Sequence, residues 1–313
     1  MNKFLKYSLL FLIVLGIILT IASSVYSYYR HKYLLPDNFK ISSNITTLII
    51  GDSHAESAFN DKLIPNSINI AFHAEHYLFT YFKLKKIVDA NPQIDRIVLS
   101  FAPHNISQGA DVSIFSDVRN SRSFARYFML LDKDAVMDTY SNSQNWKINY
   151  LKWRFMIPFQ LKLELKLLFK SAINKPLKIS DYPFIGTFYS SKKNNLDNLR
   201  KNITAHFFNK ENLCVESALS IKYLYKIMKL TNYKEIELVL INTPTYESYR
   251  NEIPKFFSSI YSQLIDSIQK KYPLVIIKDY STMKLDPGDY GDFHHVNIYG
   301  AEKVSNQLII DLK

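Results

Sequence analysis

The sequence predicts an α/β protein in which a mainly parallel, five-stranded sheet lies between two layers of helices. Short continuous runs of Val, Ile and Leu alternate along the chain with amphipathic stretches of helical periodicity. Runs that are apolar throughout are typical of strands covered on both faces, as in a parallel sheet. The length of 313 residues, 47% of them apolar, allows one large domain or two small ones.

Five segments predict the strands of this sheet. They are TTLIIGDS (46–53), SINIAF (67–72), DRIVLSFAP (95–103), EIELVLINTP (235–244) and YPLVIIKDYS (272–281). Proline ends the third segment, since it cannot donate to a strand ladder. Helical spacing of apolar residues predicts helices within residues 75–92, 253–271 and 300–312.

Residues 107–232 interrupt this alternation with a block rich in Tyr, Lys, Asn and Ser. The block includes YLKWRFMIPFQLKLELKLLFKSA (150–172). We expect a largely helical, amphipathic insertion that packs on the core of the domain. Its Trp, Arg, Tyr and Lys side chains could instead line a groove for sugar or lie against a membrane surface.

The N-terminal segment, residues 1–32, is predicted to anchor the protein in a membrane. Residues 7–29 carry no charge, and as a helix they would span about 35 Å, enough to cross the hydrocarbon core. Basic residues flank this run on both sides, so the charge rule favours a cytoplasmic N-terminus only weakly. A cleaved signal peptide is the alternative, with Ala22 and Ser24 in the cleavage site. Both interpretations place residues 33–313, the remaining domain, outside the cytoplasm; a domain that faces the cytosol is the third alternative.

The charge and the cysteine content limit which partners and which kinds of site we expect. The formal net charge is +11, but the lysines are spread along the chain and no recognition-helix or finger signature occurs. We therefore expect no nucleic-acid partner, and contact with anionic lipid or an anionic envelope polymer suits the charge instead. The single cysteine, Cys214, excludes an internal disulfide and a multi-cysteine metal site, and we expect it to pack as a small apolar residue.

A turn rich in functional side chains ends the first predicted strand, with Gly51, Asp52, Ser53 and His54 in succession. Such residues also favour tight strand-to-helix turns for purely structural reasons. Reactive groups in a parallel sheet gather at the carboxyl ends of the strands, however, and Ser53 lies at such an end. A serine is a poor nucleophile unless a base accepts its proton. We place His54 at the start of the following helix, near the pocket.

A candidate base lies in DFHHVNIYGAEKVS (292–305). Asp292 and His295 stand three positions apart, so the carboxylate can accept from one ring nitrogen while the other nitrogen faces a nucleophile. His294 is an alternative base. There are two alternatives to a catalytic role. The acidic residues could serve only to make the loop soluble, or Asp292, His294 and His295 could bind a metal. No further ligand is evident and Ser53 would then be unexplained, so we predict no metal site.

The GDSH turn after the first strand, together with DFHHVNIYGAEKVS before the last helix, resembles the SGNH (GDSL-type) hydrolase superfamily. The resemblance covers residues 46–106 and 234–313. It implies a flavodoxin-like, three-layer α/β/α sandwich. It also implies that Ser53 attacks an acyl carbonyl, that His295 takes its proton and that Asp292 orients His295.

The resemblance further implies an oxyanion hole, in which the backbone N–H of Ser53 is one donor. Family members usually have a glycine after the second strand whose N–H is another donor, and here Ala71 stands nearest that position. The family's G-x-N-D block would fall at FAPHN. This makes Asn105, or less readily His104, the side-chain donor. Asp52 would hold the turn through its carboxylate.

An anchor followed by such a domain resembles envelope proteins that move or remove acyl groups on cell-surface polymers. These include the SGNH-like proteins of alginate O-acetylation and of lipoteichoic acid D-alanylation. We therefore expect acyl-ester chemistry on a cell-envelope glycan, as an O-acyltransferase or acetyl esterase, through an acyl-Ser53 intermediate and without a cofactor. The expected partners are a cell-surface polysaccharide, the membrane and a membrane acyl-carrier protein. A non-catalytic scaffold or glycan-binding protein with the same fold is the alternative.

Overall fold

The computed structural model describes residues 2–115, 126–141, 167, 169–170, 173 and 175–313. The strands among these residues are Thr47–Ile50 (β1), Ser67–Asn69 (β2), Arg96–Ser100 (β3), Phe208–Asn209 (β4), Asn212–Leu213 (β5), Glu237–Asn242 (β6) and Ile276–Asp279 (β7). Five of them form one parallel sheet in the order β2-β1-β3-β6-β7. The short strands β4 and β5 form a separate antiparallel hairpin. The predicted α/β fold with a parallel five-stranded sheet is confirmed, and the strand order is that of flavodoxin-like proteins.

Helices connect the strands and cover both faces of the sheet. Those described are Asn2–Tyr33 (α1), Ser53–Ala58 (α2), Tyr77–Ala90 (α3), Gln108–Phe115 (α4), Lys133–Ser141 (α5), Leu199–Phe207 (α6), Ala218–Tyr233 (α7), Glu247–Glu252 (α8), Lys255–Lys271 (α9) and Ile298–Asp311 (α10). The helices predicted near residues 75–92, 253–271 and 300–312 correspond to α3, α9 and α10.

Alternate residues of each strand face opposite layers of helices, as the pleat of a strand requires. Leu48 of β1 and Leu99 of β3 belong to the core shared with α3, α7 and α9. Their neighbours Ile49 and Val98 belong to a second core shared with α2 and α10. Because both faces are buried, the strands read as continuous apolar runs in the sequence.

Strand β2 is shorter than the predicted segment 67–72, yet its ladder bonds continue. The N–H of Ile70 donates to the carbonyl of Ile49, and the N–H of Phe72 donates to that of Gly51. The chain therefore stays beside β1 up to the turn that leads to Ser53.

The chain between β3 and β6 contains the predicted insertion, residues 107–232. Helix α7 packs against α3 and β6, as the crossover helix between two parallel strands does. Helix α4 packs against α6. Residues 150–166, the first part of the apolar segment predicted to be helical, lie outside the described residues.

Helix α1 is long and apolar enough to cross a membrane, by length and composition. Its apolar stretch has a mean hydropathy of 2.6 and none of it is buried against the rest of the protein. A signal sequence has the same properties. The helix joins the domain at Tyr33, which is fully buried in the main core, and Tyr29 packs against the same core.

Candidate active site

Ser53 is the first residue of α2 and follows β1 after a sharp turn. Gly51 makes this turn with a φ of +123°, which residues with a side chain rarely adopt. A Cβ at this position would lie 2.1 Å from Oγ of Ser100 on β3. The turn therefore requires glycine, and it places Ser53 at the edge where the carboxyl ends of the parallel strands meet.

Three side chains form a hydrogen-bonded chain at this edge. Nε2 of His295 lies 2.8 Å from Oγ of Ser53, and Nδ1 of His295 lies 2.9 Å from Oδ2 of Asp292. The structure thus brings together the serine, histidine and aspartate that the two sequence motifs predict. With Nδ1–H donating to Asp292, the lone pair of Nε2 faces the serine hydroxyl. All three residues are partly exposed, so a substrate can approach them.

The carboxylate of Asp292 is fixed by its own loop. Its Oδ1 accepts hydrogen bonds from the backbone N–H groups of His294 and His295, at 2.9 and 2.8 Å. Burial alone would raise the pKa of Asp292, but the hydrogen bond and charge of His295 and the two backbone donors hold the pKa below its usual value. Asp292 is therefore ionised at neutral pH. Asn297 caps α10 directly after this loop by accepting from the N–H of Tyr299 at 2.9 Å.

Asp52 is a buried carboxylate at the centre of the turn. Its Oδ1 accepts from the N–H of His54 at 3.1 Å and from Oγ of Ser100 at 2.9 Å. Its Oδ2 accepts from Nδ2 of Asn105 at 2.8 Å and lies 2.8 Å from Nε2 of His104. Burial by itself raises the pKa of Asp52, but His54 and His104 outweigh this effect and the pKa lies well below its usual range. The carboxylate thus ties the turn after β1 to the segment after β3.

The three further oxyanion donors expected from the resemblance point to other partners. The N–H of Ala71 donates to Oδ1 of Asn69 at 3.0 Å. Asn105 and His104 direct their side-chain nitrogens at Asp52. The ionised, buried carboxylate of Asp52 is a strong acceptor, which explains the orientation of Asn105 and His104 but does not involve Ala71. In this arrangement Asn105 and His104 brace the turn, and the donor roles implied for Ala71, Asn105 and His104 stay predictions.

Five of the chain's eight histidines gather beside Ser53. They are His54, His104, His206, His294 and His295, and adjacent ring centroids lie between 3.9 and 4.8 Å apart. Burial lowers the pKa of His54 to about 4. Burial and mutual repulsion hold the pKa of His206 and His294 well below the usual value. These three rings are therefore neutral at pH 7.

His206 has no counterpart in the sequence prediction. It lies near the end of α6, within the insertion, and its Nδ1 is hydrogen-bonded to the hydroxyl of Tyr249 on α8. His54, predicted at the start of the helix near the pocket, is the second residue of α2; it is only 2% exposed and stacks on His104. No local motif marks either contact, because the rings come from separate segments of the chain.

Glu56 is a second group that the sequence prediction missed. It lies one turn after Ser53 on α2, and burial raises the pKa of its carboxyl to about 7. Its Oε1 is 3.6 Å from Nδ1 of His73. The i, i+3 spacing from Ser53 was the available signal, since residues so spaced share one face of a helix.

No protein-family model matches the sequence, and no curated protein matches it significantly. The resemblance to the SGNH superfamily therefore depends on the residues of the two sequence motifs alone.

Proposed function

We propose that the protein is an SGNH-type serine enzyme that carries out acyl-ester chemistry on a cell-envelope glycan, as an O-acyltransferase or acetyl esterase. One observation supports this proposal: Asp292, His295 and Ser53 are linked in series by hydrogen bonds, with contacts of 2.9 and 2.8 Å. Such a chain activates a hydroxyl that is otherwise a weak nucleophile.

In the proposed first half-reaction, Oγ of Ser53 attacks the carbonyl carbon of an acyl ester while Nε2 of His295 accepts its proton. The ionised Asp292 stabilises the imidazolium that forms. The oxyanion of the tetrahedral intermediate accepts from the backbone N–H of Ser53, which lies in the first turn of α2, where the helix offers it no acceptor. When the intermediate collapses, His295 returns the proton to the leaving alcohol, and Ser53 carries the acyl group.

In the second half-reaction, His295 removes a proton from an incoming hydroxyl, which attacks the acyl-Ser53 carbonyl. Water as the incoming group makes the protein an esterase, and a sugar hydroxyl makes it an O-acyltransferase. Collapse of the second intermediate breaks the bond to Ser53, whose oxygen regains the proton from His295. We favour transfer, because a membrane-anchored enzyme is held beside both an envelope acceptor and a membrane acyl-carrier protein.

The proposed location is the outer side of the cytoplasmic membrane, with α1 as the anchor. A net charge of +11 suits an anionic or membrane-bound polysaccharide. A reporter enzyme that is active only outside the cytoplasm, fused after Lys313, tests this location. Activity of the fusion is expected, and an inactive but full-length fusion would contradict it.

A non-catalytic scaffold that binds glycan is the second candidate. One observation favours it: the donors of Ala71 and Asn105, which would complete an oxyanion hole, are engaged within the protein. Removing one such donor typically costs about 10²- to 10³-fold in rate.

A fluorophosphonate probe separates the two candidates. We expect it to label the full-length protein on Ser53 and to leave Ser53→Ala unlabelled. The matched control is Ser57→Ala, which removes a buried serine from the same helix without touching the triad. A folded wild-type protein that resists the probe would refute the enzyme and favour the scaffold.

A further inference from the structure

We propose that His54, His294 and His295 bind a divalent transition metal, with Zn²⁺ as the best-fitting ion, and that the bound metal blocks Ser53. Each of the three histidines offers one ring nitrogen, and these nitrogens lie within 4.8 Å of one another. His54 belongs to α2, and the other two belong to the loop before α10. Three imidazoles with an open fourth position are a common ligand set for Zn²⁺.

The spacing of two of these rings suits a shared ion. Nε2 of His54 and Nδ1 of His294 lie 3.4 Å apart, beyond the usual length of an N–H hydrogen bond. Two nitrogens held tetrahedrally at about 2.0–2.1 Å from Zn²⁺ are themselves about 3.3 Å apart. The ion can therefore bind between these rings without moving them further apart.

Carboxylates lie against the outer nitrogens of two of the candidate ligands. Nδ1 of His295 is 2.9 Å from Oδ2 of Asp292, and Nδ1 of His54 is 3.3 Å from Oδ2 of Asp52. The latter nitrogen is buried and makes no hydrogen bond of good geometry, so its contact with Asp52 is electrostatic. Metal-bound histidines typically direct their second nitrogen at a carboxylate, which orients the ring and raises its basicity.

A second set of potential ligands, Asp52, His54 and His104, is equally close-packed. There, however, Nε2 of His104 already lies 2.8 Å from Oδ2 of Asp52, and all three residues are buried. His294 and His295 are partly exposed, with side-chain exposures of 12% and 21%, so an ion can reach them from solvent. This difference favours the set with His294 and His295.

Binding of the metal and acylation of Ser53 exclude each other. Nε2 of His295 has one lone pair, and a lone pair held by Zn²⁺ cannot accept the proton from Oγ of Ser53. The metal is then a reversible inhibitor rather than a cofactor. The inhibition rests on the proposed function, whereas the binding site does not.

Titration calorimetry with Zn²⁺ alone, on metal-free full-length protein in detergent, tests the site. We expect one ion per chain in the wild type and in Ser53→Ala, and an affinity at least about tenfold weaker in His294→Gln. The matched control is His31→Gln, which removes an exposed histidine of α1 and should leave the affinity unchanged. No binding, or equal affinity in wild type and His294→Gln, would overturn the proposal.

X-ray absorption at the zinc edge gives a second readout that depends on no variant's folding. Three imidazole ligands in the wild type would support the site, and a spectrum without imidazole would overturn it. Fluorophosphonate labelling then tests the inhibition: Zn²⁺ should slow labelling of the wild type but not that of His294→Gln, each compared with its own metal-free rate. Unchanged labelling in zinc-loaded wild type would refute the inhibition alone, and unlabelled metal-free wild type would refute the proposed function alone.

Discussion

Oγ of Ser53 lies 2.8 Å from Nε2 of His295, although the two residues are 242 positions apart in the sequence. The distance depends on how α2 and α10 pack on the same face of the sheet. Their apolar residues share one core, and the N–H of Asn60 after α2 donates to Oγ of Ser305 on α10 at 2.9 Å. Changes that move either helix should therefore act on the candidate site as well.

Replacing Gly51 by alanine should destabilise the protein by about 3 kcal/mol, since a positive φ of this size strains any other residue and the new Cβ meets Oγ of Ser100. Chemical unfolding followed by circular dichroism measures the change. Gly288→Ala is the control, because a Cβ at Gly288 meets nothing within 4 Å and should change the free energy of unfolding by less than about 0.5 kcal/mol. Equal stabilities of the two variants would contradict the account of the turn.

Replacing Asp52 by asparagine should cost about 3 kcal/mol, because Asn105 and His104 lose the buried charge at which their nitrogens point. The control is Asp37→Asn, which removes an exposed carboxylate that pairs with Lys40 on the surface. Urea unfolding compares the two variants. A variant Asp52→Asn as stable as Asp37→Asn would show that the buried carboxylate does not hold the turn.

Replacing Asp292 by asparagine should slow acylation of Ser53 by about 10³- to 10⁴-fold, because an amide does not hold His295 in the tautomer that leaves Nε2 free. The rate of fluorophosphonate labelling measures the effect. Asp286→Asn is the control, since Asp286 is exposed and pairs with Lys303. An unchanged labelling rate in Asp292→Asn would mean that the carboxylate does not act on His295.

Acid should unfold the protein through its buried histidines. A histidine whose pKa is lowered on folding contributes stability above its unfolded pKa of about 6.5, and this stability is lost as the pH falls below that value. The pKa of His206 is lowered in this way, first by burial and then by the neighbouring rings. Between the folded and unfolded pKa values, each such group lowers the free energy of unfolding by about 1.4 kcal/mol for every unit that the pH falls.

We therefore expect His206→Asn, which retains a polar group toward Tyr249, to lose stability less steeply than the wild type between pH 6.5 and 5. Free energies of unfolding from urea titrations at several pH values give the two slopes. His31→Gln, from exposed α1, should follow the wild type. Parallel curves for wild type and His206→Asn would contradict the assignment of a neutral, buried His206.

Much of the fold could be predicted because its physical cause is local. The strands around Leu48, Val98 and Leu240 are buried on both faces, which makes them visible as apolar runs. The hairpin of β4 and β5 could not be predicted, since each strand has only two residues and neither forms an apolar run.

The same distinction between local and long-range causes applies to the candidate site. Asp292 and His295 are close in sequence, and Ser53 follows a strand, so local patterns were sufficient to find them. The contacts of His206 and the shared carboxylate of Asp52 depend on segments that meet only after folding. The donor roles of Ala71 and Asn105 were inferred from resemblance and stay predictions; in the structure their N–H groups donate to Asn69 and to Asp52.

The most direct test of the account is to find where an acyl group is attached. The full-length protein is mixed with an activated acetyl ester, quenched in acid, digested and analysed by mass spectrometry, with Ser53→Ala and Ser57→Ala treated in parallel. We expect one acetyl group on Ser53 in the wild type and in Ser57→Ala, and none at that position in Ser53→Ala. Folded wild-type protein without acetyl on Ser53, or with equal acetylation in Ser53→Ala, would contradict it.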